Sequence, residues 1–143
     1  MFMGQFKHTI DPKNRLFLPA RFREELGESF VITAGLDGCL YICPRADFEE
    51  FAGKLAELPL TAETRQLQRF FTRNAAECEQ DKQGRFIIPA SLKELAGIKK
   101  EIVFVGVISK IELWSKERFE KTAPEETMEE IVEKMSTQYG LRF

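Results

Sequence analysis

The sequence predicts an α+β, β-rich fold made from two tandem copies of one module, with helices at the periphery. Three observations carry that reading. A ten-residue motif recurs seventy residues downstream, β-branched and aromatic runs follow each copy, and apolar stripes at helical spacing follow each run.

The motif comes first. Asp11-Pro-Lys-Asn-Arg-Leu-Phe-Leu-Pro-Ala20 lines up with Asp81-Lys-Gln-Gly-Arg-Phe-Ile-Ile-Pro-Ala90, sharing Asp, then Arg four residues on, three apolar residues and Pro-Ala. Each continues into a short helix, over 19–27 and 89–97. Pro is expected in the first turn and Gly past the end. Phe22 and Leu26 match Leu92 and Ala96 as one apolar stripe per copy.

Buried strands are expected next, over 30–34 and 102–107. The first turns through Asp37-Gly38, a hairpin signal, and the second through Ser109-Lys110. Short strands from Leu40 and from Ile111 then align with a one-residue slip. In the first copy Phe48, Phe51, Leu55 and Leu58 mark a helix broken at Pro59. A second helix opens at Thr61 and carries Leu67, Phe70 and Phe71. In the second copy a helix is expected from Thr122, with Met128, Ile131, Val132 and Met135 on one face and acids in its first turn. That stripe should be covered by a neighbouring subunit or by the chain's own core. The copies divide as 1–76, with the linking helix, and 77–143, with the C-terminal helix. Trp114 and the thirteen phenylalanines read as core or subunit interface.

Composition narrows the function classes. With 43% hydrophobic and 31% charged residues the chain is globular, not disordered or low-complexity. At 143 residues it should bury about 68–70% of its unfolded surface without a metal or disulfide staple. No apolar run approaches the roughly 20 residues that cross a bilayer. No basic-then-apolar leader follows Met1, so a cytoplasmic location is expected. Cys39, Cys43, Cys78 and the one histidine, His8, fit no metal spacing, so neither metal nor cofactor is expected. No nucleophile signature is present, and no enzyme is expected.

Net charge is −2, but its distribution is uneven. Between Gln5 and Arg23, Lys7, Lys13, Arg15, Arg21 and Arg23 face Asp11 alone, whereas eight acids meet four bases between Glu112 and Lys134. Such a polarised chain can offer one face to a polyanion. Asn14 and Gly84, equivalent in the repeat, are the residue types that best tolerate positive φ, so a tight turn leads from each Asp to its Arg. An isolated Asp–Arg pair would most simply clamp a turn. Two equivalent cationic loops suit a repetitive partner such as duplex DNA. Lysine supplies phosphate contacts there, and arginine can bond the guanine O6/N7 edge.

With both motifs in order, a helical link and a helical tail, the chain resembles the MraZ family of the AbrB/SpoVT-like superfamily over its full length. The resemblance implies a pseudo-symmetric swapped-hairpin barrel closed within one chain. It implies a sequence-specific transcriptional regulator of the bacterial division and cell wall gene cluster, associated with the nucleoid. It also implies binding to G-rich direct repeats in double-stranded DNA, and homo-oligomeric rings, often of eight or more subunits. Carried over, the DNA-binding residues are Lys13, Asn14 and Arg15, with Arg85 and Lys82 as counterparts. Asp11, Asp81 and Gly84 organise the loops, and Lys7, His8 and Arg21 are candidate phosphate contacts. Asn14 stands where the family usually has Gly, a departure that bears on the first loop's affinity and sequence preference. The first loop sits in the basic stretch whereas Glu77 and Glu79 precede the second, so Arg15 ranks above Arg85 as base reader. The alternative is an antitoxin-like interaction module acting through a protein partner.

Overall fold

A computed structural model describes residues 1–142; Phe143, the last residue of the second copy, lies outside them. The elements run β1 (Phe2–Thr9), β2 (Arg15–Phe17), α1 (Ala20–Leu26), β3 (Ser29–Ala34), β4 (Leu40–Pro44), α2 (Arg45–Glu57) and α3 (Ala62–Arg73). The second copy follows as β5 (Ala76–Glu79), β6 (Arg85–Ile87), α4 (Ala90–Leu95), β7 (Glu101–Ile108), β8 (Ile111–Ser115), α5 (Lys116–Glu120) and α6 (Met128–Tyr139).

Six strands form one antiparallel sheet in the order β1-β7-β8-β4-β3-β5, and β2 pairs with β6 in a separate ribbon. The order is symmetric about the β8–β4 contact, because the copies exchange strands. β1 lies along β7 from Phe2↔Ile108 to Thr9↔Glu101, and β5 lies along β3 from Ser29↔Glu79 to Ile32↔Ala76. Each copy's first strand therefore pairs with the other copy's hairpin. The ribbon is shared in the same way, pairing Arg15 with Ile87, Leu16 with Phe86 and Phe17 with Arg85.

Alternation along the ribbon turns Leu16 and Phe86 inward, where they join Leu18, Ile88, Ile32, Ile42, Phe104 and Leu113 in one buried core. The sheet's ladder ends at β1 and β5, and the ribbon covers its open side through this packing. Phe30 meets Phe86 edge to face at 5.3 Å, tying the two copies together at the centre. The expected β-rich α+β fold with peripheral helices is borne out.

Several local expectations are corrected. Pro19 and Pro89 cap α1 and α4 from the residue before the first turn, in extended backbone. The β7–β8 turn is centred on Ile108 and Ser109, one residue early, since Val107 N–H donates to the Lys110 carbonyl at 2.9 Å. Ile108 takes φ +73° there, a conformation that crowds a β-branched side chain. The last helix starts at Met128, not Thr122. Thr122 caps the end of α5 instead, its hydroxyl donating to Phe119 O, while Thr127 Oγ1 accepts from Glu130 N–H at the new start. None of α6 is buried, so its stripe is not packed into the chain's own core.

Trp114 is buried with Val103 and Cys39 on the other face of the sheet. Burial pushes the Cys39 thiol up to about 12 and those of Cys43 and Cys78 to about 11, which keeps them protonated and unreactive at neutral pH.

Candidate nucleic-acid interface

Each Asp-to-Arg loop is built by its own aspartate. Asp11 Oδ1 accepts from the Lys13 and Arg15 amides at 2.9 and 2.8 Å, and Oδ2 accepts from Arg15 Nε at 2.6 Å. Asp81 does the same with the Gln83 and Arg85 amides, both at 2.9 Å, and with Arg85 Nε at 2.8 Å. Asn14 N–H and Gly84 N–H donate to the carbonyls of Asp11 and Asp81 at 3.0 and 2.9 Å, closing both turns. Asn14 sits at φ +61° and Gly84 at φ +80°, as the paired identities required. The Arg15 amide above all, then its guanidinium and the Lys13 amide, hold the Asp11 carboxyl below the usual carboxylate range. Asp81 is held down in the same way, first by the Arg85 amide.

This wiring leaves each arginine anchored through Nε. Among the described residues, no protein group engages the Nη atoms of Arg15 or Arg85 in a hydrogen bond. Because the loops feed β2 and β6, the ribbon carries both arginines on its outer face, on a diagonal, with Phe17 and Ile87 completing the square. Those two apolar side chains, at the C-terminal ends of the two strands, are 47% and 63% exposed. Arg15, Glu79, Gln80, Asp81, Arg85 and Ile87 line a shallow cleft of about 260 Å³ beside the ribbon.

The loops also lock onto each other's strands. Leu18 N–H donates to Gly84 O at 2.8 Å, and Ile88 N–H donates to Asn14 O at 3.0 Å. Behind them stand two basic residues: Lys93, which the motif reading missed, and Arg23, which it counted only as part of the basic stretch. Lys93, on α4 of the second copy, donates to Asn14 Oδ1 at 2.9 Å. Arg23, its counterpart on α1 of the first copy, donates to Leu18 O at 2.9 Å and lies where a Cβ on Gly84 would be. A signal for them existed: both are basic at equivalent positions of the repeat. Gln80 of the second copy closes the C-terminus of α1, donating to Arg23 O at 2.9 Å and Gly27 O at 2.6 Å.

The remaining candidates divide. Lys13 is exposed on the first loop, and its equivalent is Gln83, whose amide makes the same bond to Asp81 Oδ1. Lys82, exposed, matches Pro12, so the two loop lysines are not counterparts, contrary to the motif reading. His8 is half-buried, packs edge to face on Phe104 at 5.7 Å, and has its pKa lowered by that burial and then by Arg23. Lys7 projects from the opposite face of β1, by strand alternation, and does not join the loops. Arg21, exposed on α1, reaches toward Gly4 at the start of β1.

A family model described as "MraZ protein, putative antitoxin-like" matches this chain twice, over residues 1–71 and 71–138. The protein named "Transcriptional regulator MraZ" from Lachnoclostridium phytofermentans is 52% identical over 143 residues, the whole of both chains. The protein of that name from Heliobacterium modesticaldum is 51% identical, covering 94% of this chain and 96% of its own. That from Thermoanaerobacter sp. is 52% identical over 85% of each chain.

Proposed function

The chain belongs to the MraZ family, and from that premise we propose that it is a DNA-binding transcriptional regulator that reads G-rich direct repeats with its β2–β6 ribbon. One observation carries the reading. Strand exchange joins both Asp-to-Arg loops in a single two-stranded ribbon, an element the major groove of B-DNA admits. With Nε held by aspartate, the Nη groups of Arg15 are free to take a guanine edge, and Arg85 offers the same from the other strand. Lys13, Lys82, Asn14 and, behind them, His8 and Arg21 supply phosphate contacts, while Phe17 and Ile87 present apolar surface to thymine methyl groups. Lys7 is left out of this interface, because it faces the other way.

The regulated genes are those of bacterial division and cell wall synthesis, and the working form is a ring of eight or more subunits, associated with the nucleoid in the cytoplasm. Several weak ribbons held together raise the effective concentration on repeated sites, which lets a slightly acidic chain bind DNA. Residues 1–76 and 77–143 act as one binding unit. No catalytic role is assigned. No helix among the described residues is long and apolar enough to cross a membrane. The antitoxin-like alternative is not favoured, since the relatives carry the name of transcriptional regulators.

The test is binding to labelled DNA bearing the chain's own upstream repeats, across a salt series and against scrambled DNA. Arg15→Ala should weaken the repeat complex about 10- to 100-fold and narrow the preference over scrambled DNA, as loss of a bidentate guanine contact does. Lys13→Ala should weaken both DNAs together and lower the salt slope by about 0.9. Equal binding of the wild-type protein to repeats and scrambled DNA would overturn sequence-specific reading.

A further inference from the structure

Helix α6 stands alone. Its Met128 and Val132 are 58% and 45% exposed, and none of its residues is buried. A helix of 12 residues is marginal by itself in water, so its apolar stripe must be covered to hold this form. The rest of its surface is acidic: Glu129, Glu130 and Glu133 make no ion pair among the described residues, whereas Glu126 is taken by Lys134.

A complementary surface lies on the α2–α3 layer. An open groove of about 710 Å³ is lined by the apolar Leu36, Leu67 and Phe70 and rimmed by Arg69 and Arg73, which outnumber the single acid there, Glu63. At Leu36 it runs into a more enclosed cavity of about 330 Å³, walled by Tyr41, Phe48, Phe51 and Phe71. Lys110 stands at that wall, its ammonium 4.9 Å from the Tyr41 ring centre. Arg69 and Arg73, one turn apart, make no ion pair among the described residues. Leu36 and Leu67 are more than two-fifths exposed, which a groove in use would cover.

We propose that α6 of one copy docks in the α2–α3 groove of a second copy. Met128, Ile131, Val132 and Met135 then cover Leu36, Leu67 and Phe70, while Glu129, Glu130 and Glu133 meet Arg69, Arg73 and Lys110. The two surfaces differ, so the contact is head-to-tail, leaving one free helix and one free groove at the ends of any open chain of copies. Such a contact closes into a ring or continues. This names the contact behind the self-association proposed above and rests on it. It also assigns the two ends of the molecule different work, since Arg15 and Arg85 take no part.

The experiment is the molar mass of the full-length protein by light scattering, with circular dichroism to establish that each variant is folded. One variant carries E129K, E130K and E133K; the other carries R69E and R73E. The wild type is expected as a multiple of 16.5 kDa, each variant alone at 16.5 kDa, and their equimolar mixture back at the higher mass. The mixture reassembles because each variant's helix then suits only the other's groove. Folded variants that keep the wild-type mass, or a mixture that stays monomeric, overturn this contact while leaving self-association standing. A wild type that stays at 16.5 kDa at every concentration overturns self-association and this inference with it. If, in that monomer, both variants melt earlier and the chain with all five reversals recovers, α6 occupies its own groove. Arg15→Ala should leave the mass unchanged in every case.

Discussion

The two Asp-to-Arg loops share every hydrogen bond of their turns and differ in what stands behind them. The first has a side chain at its left-handed position, Asn14, and Lys93 reaches across from the other copy to bond it. The second has none at Gly84, and Arg23 fills the space with a guanidinium that bonds Leu18 instead. One copy solved the problem with an amide and an ammonium, the other with a hydrogen atom and an arginine. The equivalent backbone shape is thus held by two different sets of contacts, and a change to one loop has no safe analogue in the other. The surroundings differ too. Glu77 and Glu79 on β5 lead into the second loop, although Glu77 is drawn off by Arg45 at 3.2 Å. Nothing acidic but Asp11 lies between Gln5 and Arg23.

The largest expected asymmetry is in DNA affinity. Arg15→Ala should cost about 10- to 100-fold on the repeats, whereas Arg85→Ala should cost less, because Glu79, two residues before Asp81, leads into its loop and opposes phosphate. Equal losses would remove the ranking and make the ribbon a symmetric reader. Next comes Gly84→Asn, which copies the first loop into the second. It should destabilise the protein by about 2 kcal/mol, because a Cβ at φ +80° meets Arg23 and is strained besides. The reverse change, Asn14→Gly, should stay within about 1 kcal/mol of wild type, exchanging one hydrogen bond for relief of a left-handed asparagine. Chemical denaturation of the pair measures both.

Lys93→Met sharpens the comparison further. It should destabilise by roughly 1 kcal/mol in wild type and by much less in Asn14→Gly, a coupling that a double-mutant cycle reads directly. The smallest effect is in pH. Asp11 and Asp81 have folded pKa values below their unfolded ones, so their contribution is full above about pH 3.9 and is lost as pH falls through the folded values. His8 is also lowered, so its contribution is full above about pH 6.5 and declines as pH falls below that. His8→Phe should flatten the stability curve below about pH 6.5, measured by thermal melting, and leave the acid limb of the aspartates in place.

Much of the fold can be read from residues that act locally. Asp11 and Asp81 bond amides two and four residues ahead, so the loops follow from spacing alone. Gly27 and Gly97 end the short helices through left-handed backbone that few other residues accept. Where two local signals competed, the weaker was easy to prefer. Thr122 with Pro124 resembles a helix start, yet Thr127 takes that place, its Oγ1 accepting from the Glu130 amide in the first turn of α6.

The sequence by itself determined that there are two copies, that each holds a rigid loop ending in arginine, and that α6 has an apolar stripe. Each of these depends on residues within a few positions of one another. Only the tertiary structure decided that the copies exchange strands, that Arg15 and Arg85 share one ribbon, and that Arg23 and Lys93 brace the opposite loops. Those contacts join residues tens of positions apart. Their choice rests on which pairing buries Leu16, Phe86 and Phe30 together, a sum over the whole core that no local stretch of chain carries.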